Sequence, residues 1–200
     1  MTRFGKVGLI GRFKPLHLGS ASMLEVVCEN SENVIIGIGS INKYNLRNPF
    51  TADESRNMID IFLSPKFSNY EFIFIPDYGH KTGNENMWVN HILSAYKNLD
   101  TFVSGNEYVK KILSDHYKII DPFVTYPKIR NKLRASMVRQ KMAIGNGWKN
   151  YVPDVVTDYI IANKLDERFR KEFGKEVILL NHETYKIDSF YEEKNNVLKA

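Results

Sequence analysis

The sequence predicts an α/β fold, a doubly wound parallel sheet followed by C-terminal helices. From Val7 to Ile120, short apolar runs rich in β-branched residues alternate with stretches whose apolar residues recur at helical spacing. The short runs are apolar throughout, which is typical of strands that are covered on both faces. Regular alternation of such strands with helices predicts an open sheet of mostly parallel strands.

Strands are predicted at residues 7–10, 33–39, 71–76, 101–103 and 117–120, with a helix after each of the first four. The second of these helices begins with a capping-box pattern, because Thr51 is a suitable N-cap and Glu54 follows three residues later. Ligands of such sheets bind beyond the carboxyl ends of the strands. The segments that follow the strands are therefore the first candidates for a functional site.

The last third of the chain has a mainly helical pattern. Ser136 begins a helix that ends at Gly145, and Pro153 suits the first position of the next helix. Residues 164–175 are highly charged and are predicted to form a solvated helix. Residues 177–180 are apolar and are predicted to form an additional strand.

A change in pattern near residue 164 predicts the domain organisation. Residues 1–163 contain the alternating strands and helices together with the first C-terminal helices. Residues 164–200 are charged at first and carry no clear pattern from His182 onward. We therefore divide the chain into a main domain, 1–163, and a C-terminal helical or extended tail, 164–200.

Composition indicates a globular protein that needs no membrane or disulfide. The chain has 200 residues, of which 43% are hydrophobic and 26% charged, and its apolar runs are too short to span a membrane. The N-terminus lacks the apolar core of a signal peptide, and a single cysteine, Cys28, excludes an internal disulfide. We expect a cytoplasmic protein that does not contact a membrane.

Charge favours a phosphorylated ligand. A net charge of +5 suits either phosphorylated small molecules or nucleic acid. No Lys/Arg-rich run with interleaved aromatic residues occurs, so we do not expect a nucleic-acid partner. The histidines do not have the spacing of a metal site, and no metal held by the protein itself is predicted.

The segment after the first strand has the chemistry of a phosphate cradle. Residues 11–20, GRFKPLHLGS, form a turn between a strand and a helix N-terminus, where backbone N–H groups and the helix dipole attract anions. Gly11 and Gly19 remove side-chain bulk where a ligand must approach the backbone. Three side chains that can carry positive charge lie in the same turn: Arg12, Lys14 and His17.

This segment resembles the G-x-F-x-P-x-H-x-G-H signature of the nucleotidylyltransferase superfamily, in particular the archaeal-type nicotinamide-mononucleotide adenylyltransferases. The matching positions are Gly11, Phe13, Pro15, His17 and Gly19. Two positions depart from the family pattern. Ser20 replaces the second histidine of the signature, and Lys14 stands where archaeal-type members usually carry glutamine.

Further segments resemble the same family in the same order, from about Val7 to Ile161. Residues 36–40 look like its second strand and the exit from that strand, which ends at Gly39. Residues 47–56 resemble its N-P-F-T-x-x-E-R segment, with one extra residue before the final arginine. Residues 104–106 resemble its G-N turn, and 133–139 resemble its second phosphate motif. Trp88 stands where the family places an aromatic residue that stacks on nicotinamide.

The resemblance implies a Rossmann-like nucleotidylyltransferase fold and transfer of an adenylyl group from ATP to nicotinamide mononucleotide, giving NAD and pyrophosphate. It implies that ATP and a mononucleotide are the partners, with Mg²⁺ accompanying ATP, and it is compatible with a homo-oligomer. The catalytic residues implied are His17, Arg139 and Lys14. The substrate-binding residues implied are Gly11, Arg12, Phe13, Gly19, Ser20, Gly39, Arg47, Trp88, Gly105, Asn106 and Ser136.

Simpler interpretations of single residues stay open at this point. Ser136 can be an ordinary N-cap, with Arg139 as a surface residue one turn later. Trp88 lies on an apolar helix stripe and can be a core residue. Two other functions also stay open. One is a different cytidylyl or adenylyl transfer to a phosphate, and the other is nucleotide binding without turnover, because Ser20 departs from the signature.

Overall fold

The computed structural model describes residues 4–78, 84–122 and 133–180. These residues contain a sheet of five parallel strands in the order β3-β2-β1-β4-β5. The strands are β1 (Phe4–Gly11), β2 (Ser31–Gly39), β3 (Tyr70–Ile75), β4 (Thr101–Val103) and β5 (Ile119–Ile120). The predicted α/β fold with a doubly wound parallel sheet is confirmed.

Helices cover both faces of the sheet. The connecting helices are α1 (Leu18–Asn30), α2 (Ala52–Leu63), α3 (Asn84–Ala95) and α4 (Glu107–Leu113). Successive strand residues point to opposite faces, so Ile36 packs in one hydrophobic cluster with α1 and α2, whereas Ile35 packs in a second with α3 and α4. Among the helices described, none combines the length and the apolar character needed to cross a membrane.

The strand order places a ligand crevice beside β1. From β1 the chain proceeds outward through β2 to β3, and it then returns to the other side of β1 to form β4 and β5. The direction of winding therefore reverses between β1 and β4. Ligands bind at such a reversal, beyond the carboxyl ends of the strands.

The C-terminal part is helical throughout the described residues. Its elements are α5 (Ala135–Ile144), a 3₁₀ turn (Trp148–Tyr151), α6 (Asp154–Ala162), α7 (Leu165–Phe169), a π-helical turn (Arg170–Gly174) and α8 (Lys175–Leu180). The strand predicted at 177–180 is wrong, because these residues form α8. Val177 is buried while Leu179 is exposed. A short apolar run has no periodicity that separates a strand from a helix.

The helix predicted over 164–175 is present, but it is not solvated on all sides. Leu165 and Phe169 are buried in the same hydrophobic cluster as Leu9 of β1 and Ile36 of β2. Their spacing of four residues puts both on one face of the helix, whereas Glu167 between them is exposed. The boundary at residue 163 stays a prediction, and the tail from 181 onward lies outside the described residues.

Gly37 in β2 is required by a buried tyrosine. The Tyr96 side chain packs against the sheet, and its hydroxyl donates a hydrogen bond of 2.7 Å to the Leu9 carbonyl. A Cβ atom on Gly37 would lie only 1.9 Å from that hydroxyl oxygen. Tyr96 is fully buried and has little room to move.

We therefore expect Gly37→Ala to lower the free energy of unfolding by about 1–3 kcal/mol, as overpacking of a core does. Urea unfolding measures this. Gly39→Ala is the matched control, because its Cβ would meet its nearest neighbour, the Gly11 carbonyl oxygen, at an ordinary 3.6 Å. Equal stability of the two variants would show that Tyr96 does not restrict position 37.

Candidate active site

The carboxyl ends of the central strands bring several predicted site residues to one edge of the sheet. Gly11 and Gly39 are the last residues of β1 and β2, and Gly105 and Asn106 lie just beyond β4. A Cβ on Gly39 would lie 3.6 Å from the Gly11 carbonyl oxygen, so the two strand ends are close together. This edge lies at the reversal between β1 and β4, where the fold predicts a ligand.

The turn after β1 is shaped by Phe13. Its φ angle of 52° lies in the left-handed region, which is uncommon for a residue other than glycine. The turn folds the Phe13 ring back, so that a Cβ on Gly11 would come within 2.7 Å of it. Phe13 belongs to the hydrophobic core. Gly11 thus makes room for the Phe13 ring, a role that the sequence analysis assigned to a ligand.

Lys14 is a buried cation at the strand ends. Only 1% of the residue is exposed, and its Nζ donates a hydrogen bond of 3.0 Å to the Ser40 carbonyl, just beyond β2. Ser40 has a φ angle of 54°, again in the left-handed region. Sequence reasoning missed Ser40, because it contributes a backbone carbonyl and no side-chain pattern marks that role.

Arg139 joins the two phosphate motifs. It lies on α5, is 2% exposed, and donates a hydrogen bond of 2.9 Å from Nη1 to the Lys14 carbonyl. The interpretation of Arg139 as a surface residue is therefore wrong. Two segments that are 125 residues apart in the chain meet at this contact. The sequence resemblance named both motifs, and the structure shows how they are joined.

Ser136 lies in the first turn of α5. It is not the N-cap, because the helix begins at Ala135 and Arg134 occupies the N-cap position. The Ser136 hydroxyl is buried and has no hydrogen-bond partner among the described residues. The first N–H groups of a helix also lack partners within the helix. A buried hydroxyl beside such groups is suited to an anionic oxygen.

His17 is the N-cap of α1, and Ser20 completes the cap. The Ser20 N–H donates to His17 Nδ1 at 3.3 Å, and the Ser20 hydroxyl accepts from the His17 N–H at 3.1 Å. Because Nδ1 accepts, a neutral His17 carries its proton on Nε2. His17 thus offers an Nε2–H donor to a ligand. The Ser20 hydroxyl takes part in the backbone cap.

The electrostatics favour a bound anion. Burial, and then the charge of Arg139, lower the pKa of His17 to about 4, so His17 is neutral at pH 7. Burial, followed by the charges of Arg12 and Arg139, lowers the pKa of Lys14 to about 8, although Glu54 opposes this shift. Placing buried positive charges close together costs free energy, and an anion bound between them offsets that cost. Strongly shifted pKa values of this kind are typical of functional sites.

The remaining predicted residues have different surroundings. Arg12 is half-buried and lies in the same turn as Lys14. Gly105 is exposed, and Asn106 caps α4 by accepting a hydrogen bond of 3.1 Å from the Val109 N–H. Arg47 is half-buried in the loop after β2, and Gly19 is buried in the first turn of α1. Trp88 on α3 is partly buried against the second hydrophobic cluster.

The shifted pKa of Lys14 predicts a pH dependence of ATP binding. A lysine with a pKa of about 8 in the free protein loses its charge as pH rises through 8. Bound phosphate favours the charged form, so the association constant for ATP should fall as pH rises from 7 to 9. Calorimetric titration measures this. Lys14→Arg, which stays charged, should remove the slope, and an equal slope in that variant would contradict the prediction.

A profile described as cytidylyltransferase-like matches residues 9–141. The match includes the first phosphate segment, the loop after β2 and most of α5 with Arg139, and it covers more than half of the chain. The chain belongs to the cytidylyltransferase-like family. The predicted membership of the nucleotidylyltransferase superfamily is thereby confirmed.

Curated relatives extend the similarity over most of this cytidylyltransferase-like chain. It is 30% identical over 168 residues to the nicotinamide-nucleotide adenylyltransferase of Methanococcus vannielii, covering 80% of this chain and 94% of that protein. It is 32% identical over 168 residues to the nicotinamide-nucleotide adenylyltransferase of Pyrococcus furiosus, covering 80% and 85%.

Solved structures share the fold of this cytidylyltransferase-like chain. A bifunctional NMN adenylyltransferase/ADP ribose pyrophosphatase from Francisella tularensis, complexed with AMP and a manganese ion, matches with a TM-score of 0.63 and 24% identity. The match covers 98% of this chain and 56% of that one. The nicotinic acid mononucleotide adenylyltransferase of Plasmodium falciparum matches with a TM-score of 0.54 and 17% identity, covering 82% and 98%.

Proposed function

We propose that this protein transfers the adenylyl group of ATP to nicotinamide mononucleotide, forming NAD and pyrophosphate. The observation that carries the proposal is the contact between Arg139 and the Lys14 carbonyl, which assembles the two phosphate motifs into one buried cationic cluster. Relatives that cover 80% of the chain carry the name of this activity.

The reaction needs charge stabilisation more than a base. A phosphate oxygen of the mononucleotide, already anionic, attacks the α-phosphorus of ATP in line with the departing oxygen. One phosphorus–oxygen bond forms while the bond from the α-phosphorus to the β-phosphate oxygen breaks, and pyrophosphate leaves with the electron pair. Negative charge therefore grows on pyrophosphate. Positioning and electrostatic stabilisation are the main contributions a protein makes to such a transfer.

The cluster supplies both contributions. Arg139 and Lys14 offset the growing charge, and the hydrogen bonds to the carbonyls of Lys14 and Ser40 fix their positions before substrate arrives. Neutral His17 donates from Nε2 to a phosphate oxygen. The Ser136 hydroxyl and the first N–H groups of α5 add neutral donors. Because Lys14, Ser136 and Arg139 are buried, each of their interactions is stronger than it would be in water.

A divalent ion fits this site as a companion of ATP. Among the residues that the structure describes, no group of three or more His, Cys, Asp or Glu side chains could hold one. The groups assigned to phosphate, on Lys14, His17, Ser136 and Arg139, are cations and neutral donors, which bind phosphate instead of metal. We expect Mg²⁺, held by phosphate oxygens and water, to neutralise part of the ATP charge.

The departure at Ser20 does not disrupt the site. Its hydroxyl and N–H complete the cap with His17, so the histidine keeps its tautomer and its position at the helix N-terminus. Arg139 and Lys14 supply the full positive charges. This supports an enzyme with turnover over a protein that only binds nucleotide.

A substrate panel tests the proposal. The wild-type protein with Mg²⁺ is offered ATP or CTP, each with nicotinamide mononucleotide, nicotinate mononucleotide or an alcohol phosphate, and products are identified by mass. We expect NAD and pyrophosphate from ATP and nicotinamide mononucleotide. Turnover of CTP with an alcohol phosphate, and none of ATP with any mononucleotide, would contradict the proposal and support a cytidylyltransferase.

A further inference from the structure

A loop beside the site is held by the C-terminal helices. The β2–α2 loop, residues 40–51, begins at Ser40, whose carbonyl accepts from Lys14, and contains Arg47. Its far end leads into the capping box of α2, where the Thr51 N–H donates to Glu54 Oε2 at 2.9 Å. One end of the loop is thus hydrogen-bonded to Lys14 in the turn after β1, and the other is fixed by contacts with α7.

Arg168 of α7 makes the strongest of these contacts. Its Nη1 donates to Glu54 Oε1 at 2.6 Å, and its Nη2 donates to Glu54 Oε2 at 2.7 Å and to the Pro49 carbonyl at 3.0 Å. The side chains of Arg168 and Glu54 are only 30% and 16% exposed. A bidentate pair with this geometry and burial is stronger and more directional than a surface ion pair.

Aromatic contacts extend the attachment along the loop. The ring of Phe169 stacks on Phe50 at 6.4 Å between centroids. The Tyr44 ring meets Phe173 edge-on at 5.5 Å, and its hydroxyl donates a hydrogen bond to Glu172. The guanidinium of Arg168 lies 5.9 Å from the centre of the Tyr44 ring. Arg168 therefore contacts both the middle and the end of the loop.

The attached loop contains a polar group suited to a ligand. Asn48 is 5% exposed, and its Oδ1 is buried without a hydrogen-bond partner among the described residues. Its Nδ2 donates to Asn45 Oδ1 at 3.1 Å, which fixes the orientation of the amide. An unpaired buried acceptor costs free energy unless a donor reaches it. Arg168 holds the adjoining Pro49 and so determines where this acceptor lies.

We propose that Arg168 is a positioning residue for the acceptor substrate: it fixes the β2–α2 loop in the conformation that binds the mononucleotide. This inference rests on the proposed function. The triphosphate is assigned to the cluster of Lys14, His17 and Arg139, which Arg168 does not contact in the described residues. Loss of Arg168 should therefore raise KM for the mononucleotide more than it raises KM for ATP.

The test compares three variants of the full chain. Arg168→Met removes every contact of the guanidinium. Arg168→Lys keeps the charge but loses the bidentate pairing with Glu54. It provides a second test of the inference if the methionine variant does not fold. Arg170→Met is the matched control, because Arg170 pairs with Asp166 at 2.8 Å within the same helical segment. Steady-state KM and kcat are measured for both substrates, together with the Kd of nicotinamide mononucleotide by calorimetry.

We expect Arg168→Met to raise KM and Kd for nicotinamide mononucleotide about tenfold, with a smaller rise in Arg168→Lys and none in Arg170→Met. Values for both Arg168 variants that equal those of Arg170→Met would overturn the inference. A wild-type protein that binds the mononucleotide but forms no NAD contradicts the proposed function only, and the Kd comparison still decides about Arg168. A wild-type protein that does not bind the mononucleotide contradicts both.

Discussion

Arg139→Met is expected to lower kcat for NAD formation by about 10²–10³-fold, the usual loss when one preorganised transition-state donor is removed. Arg139 is 2% exposed, so its charge acts in a region that water screens poorly. The variant also loses the hydrogen bond from Nη1 to the Lys14 carbonyl, which ties α5 to the turn after β1. Rapid-quench measurement of NAD formed per turnover gives the size of the effect.

Two comparisons make this prediction specific. Lys141→Met removes one positive charge from an exposed position of the same helix and should retain wild-type kcat. Arg139→Met should also raise the pKa of His17, because Arg139 is one of the causes that lower it, and NMR titration of the imidazole measures this. A kcat within threefold of wild type in a folded Arg139→Met protein would remove Arg139 from the mechanism.

His17→Asn is expected to lower kcat by about 10²-fold while the protein stays folded. Asparagine is among the best N-cap residues, so its side-chain oxygen can accept the Ser20 N–H as Nδ1 of His17 does. The asparagine side chain lacks a donor at the position of His17 Nε2. The variant therefore separates the catalytic role of His17 from its structural role.

The alanine variant completes the comparison. His17→Ala loses both roles and should lower the free energy of unfolding by about 1 kcal/mol relative to His17→Asn, which urea unfolding measures. Both variants should bind ATP, since Arg139 and Lys14 remain. Wild-type turnover in His17→Asn would show that the cap is the only function of His17.

The fold was predictable because its signals are local. The apolar runs that form β1 and β2 and the capping box at Thr51 and Glu54 each depend on neighbouring residues, and each was confirmed. The strand predicted at 177–180 failed because four apolar residues carry too little periodicity. These residues form a helix that buries Val177 in the core and leaves Leu179 exposed.

The sequence resemblance named candidate residues for the site, but it did not show their contacts. The resemblance named Lys14, His17 and Arg139, yet only the structure shows that Arg139 is buried and bonded to the Lys14 carbonyl. The pair of Arg168 and Glu54 spans 114 residues and leaves no periodic pattern in the sequence. Such long-range contacts depend on how helices pack, which a local pattern does not specify.

Ser20 illustrates the same limit at a single position. In the sequence, Ser20 replaces the second histidine of the family signature, which indicates the loss of a group that could carry positive charge to the phosphates. In the structure its hydroxyl and N–H form the cap that orients His17. The neutral state of His17 results from burial and from Arg139, which the sequence does not show.

The most direct test of an adenylyl-transfer site uses ATP labelled with ³²P at the α-phosphate, supplied with nicotinamide mononucleotide and Mg²⁺. Attack at the α-phosphorus places the label in NAD and none in pyrophosphate, which is the result we predict. Arg139→Met should give the same product more slowly. Label recovered as ADP would show cleavage between the β- and γ-phosphates and would contradict the account.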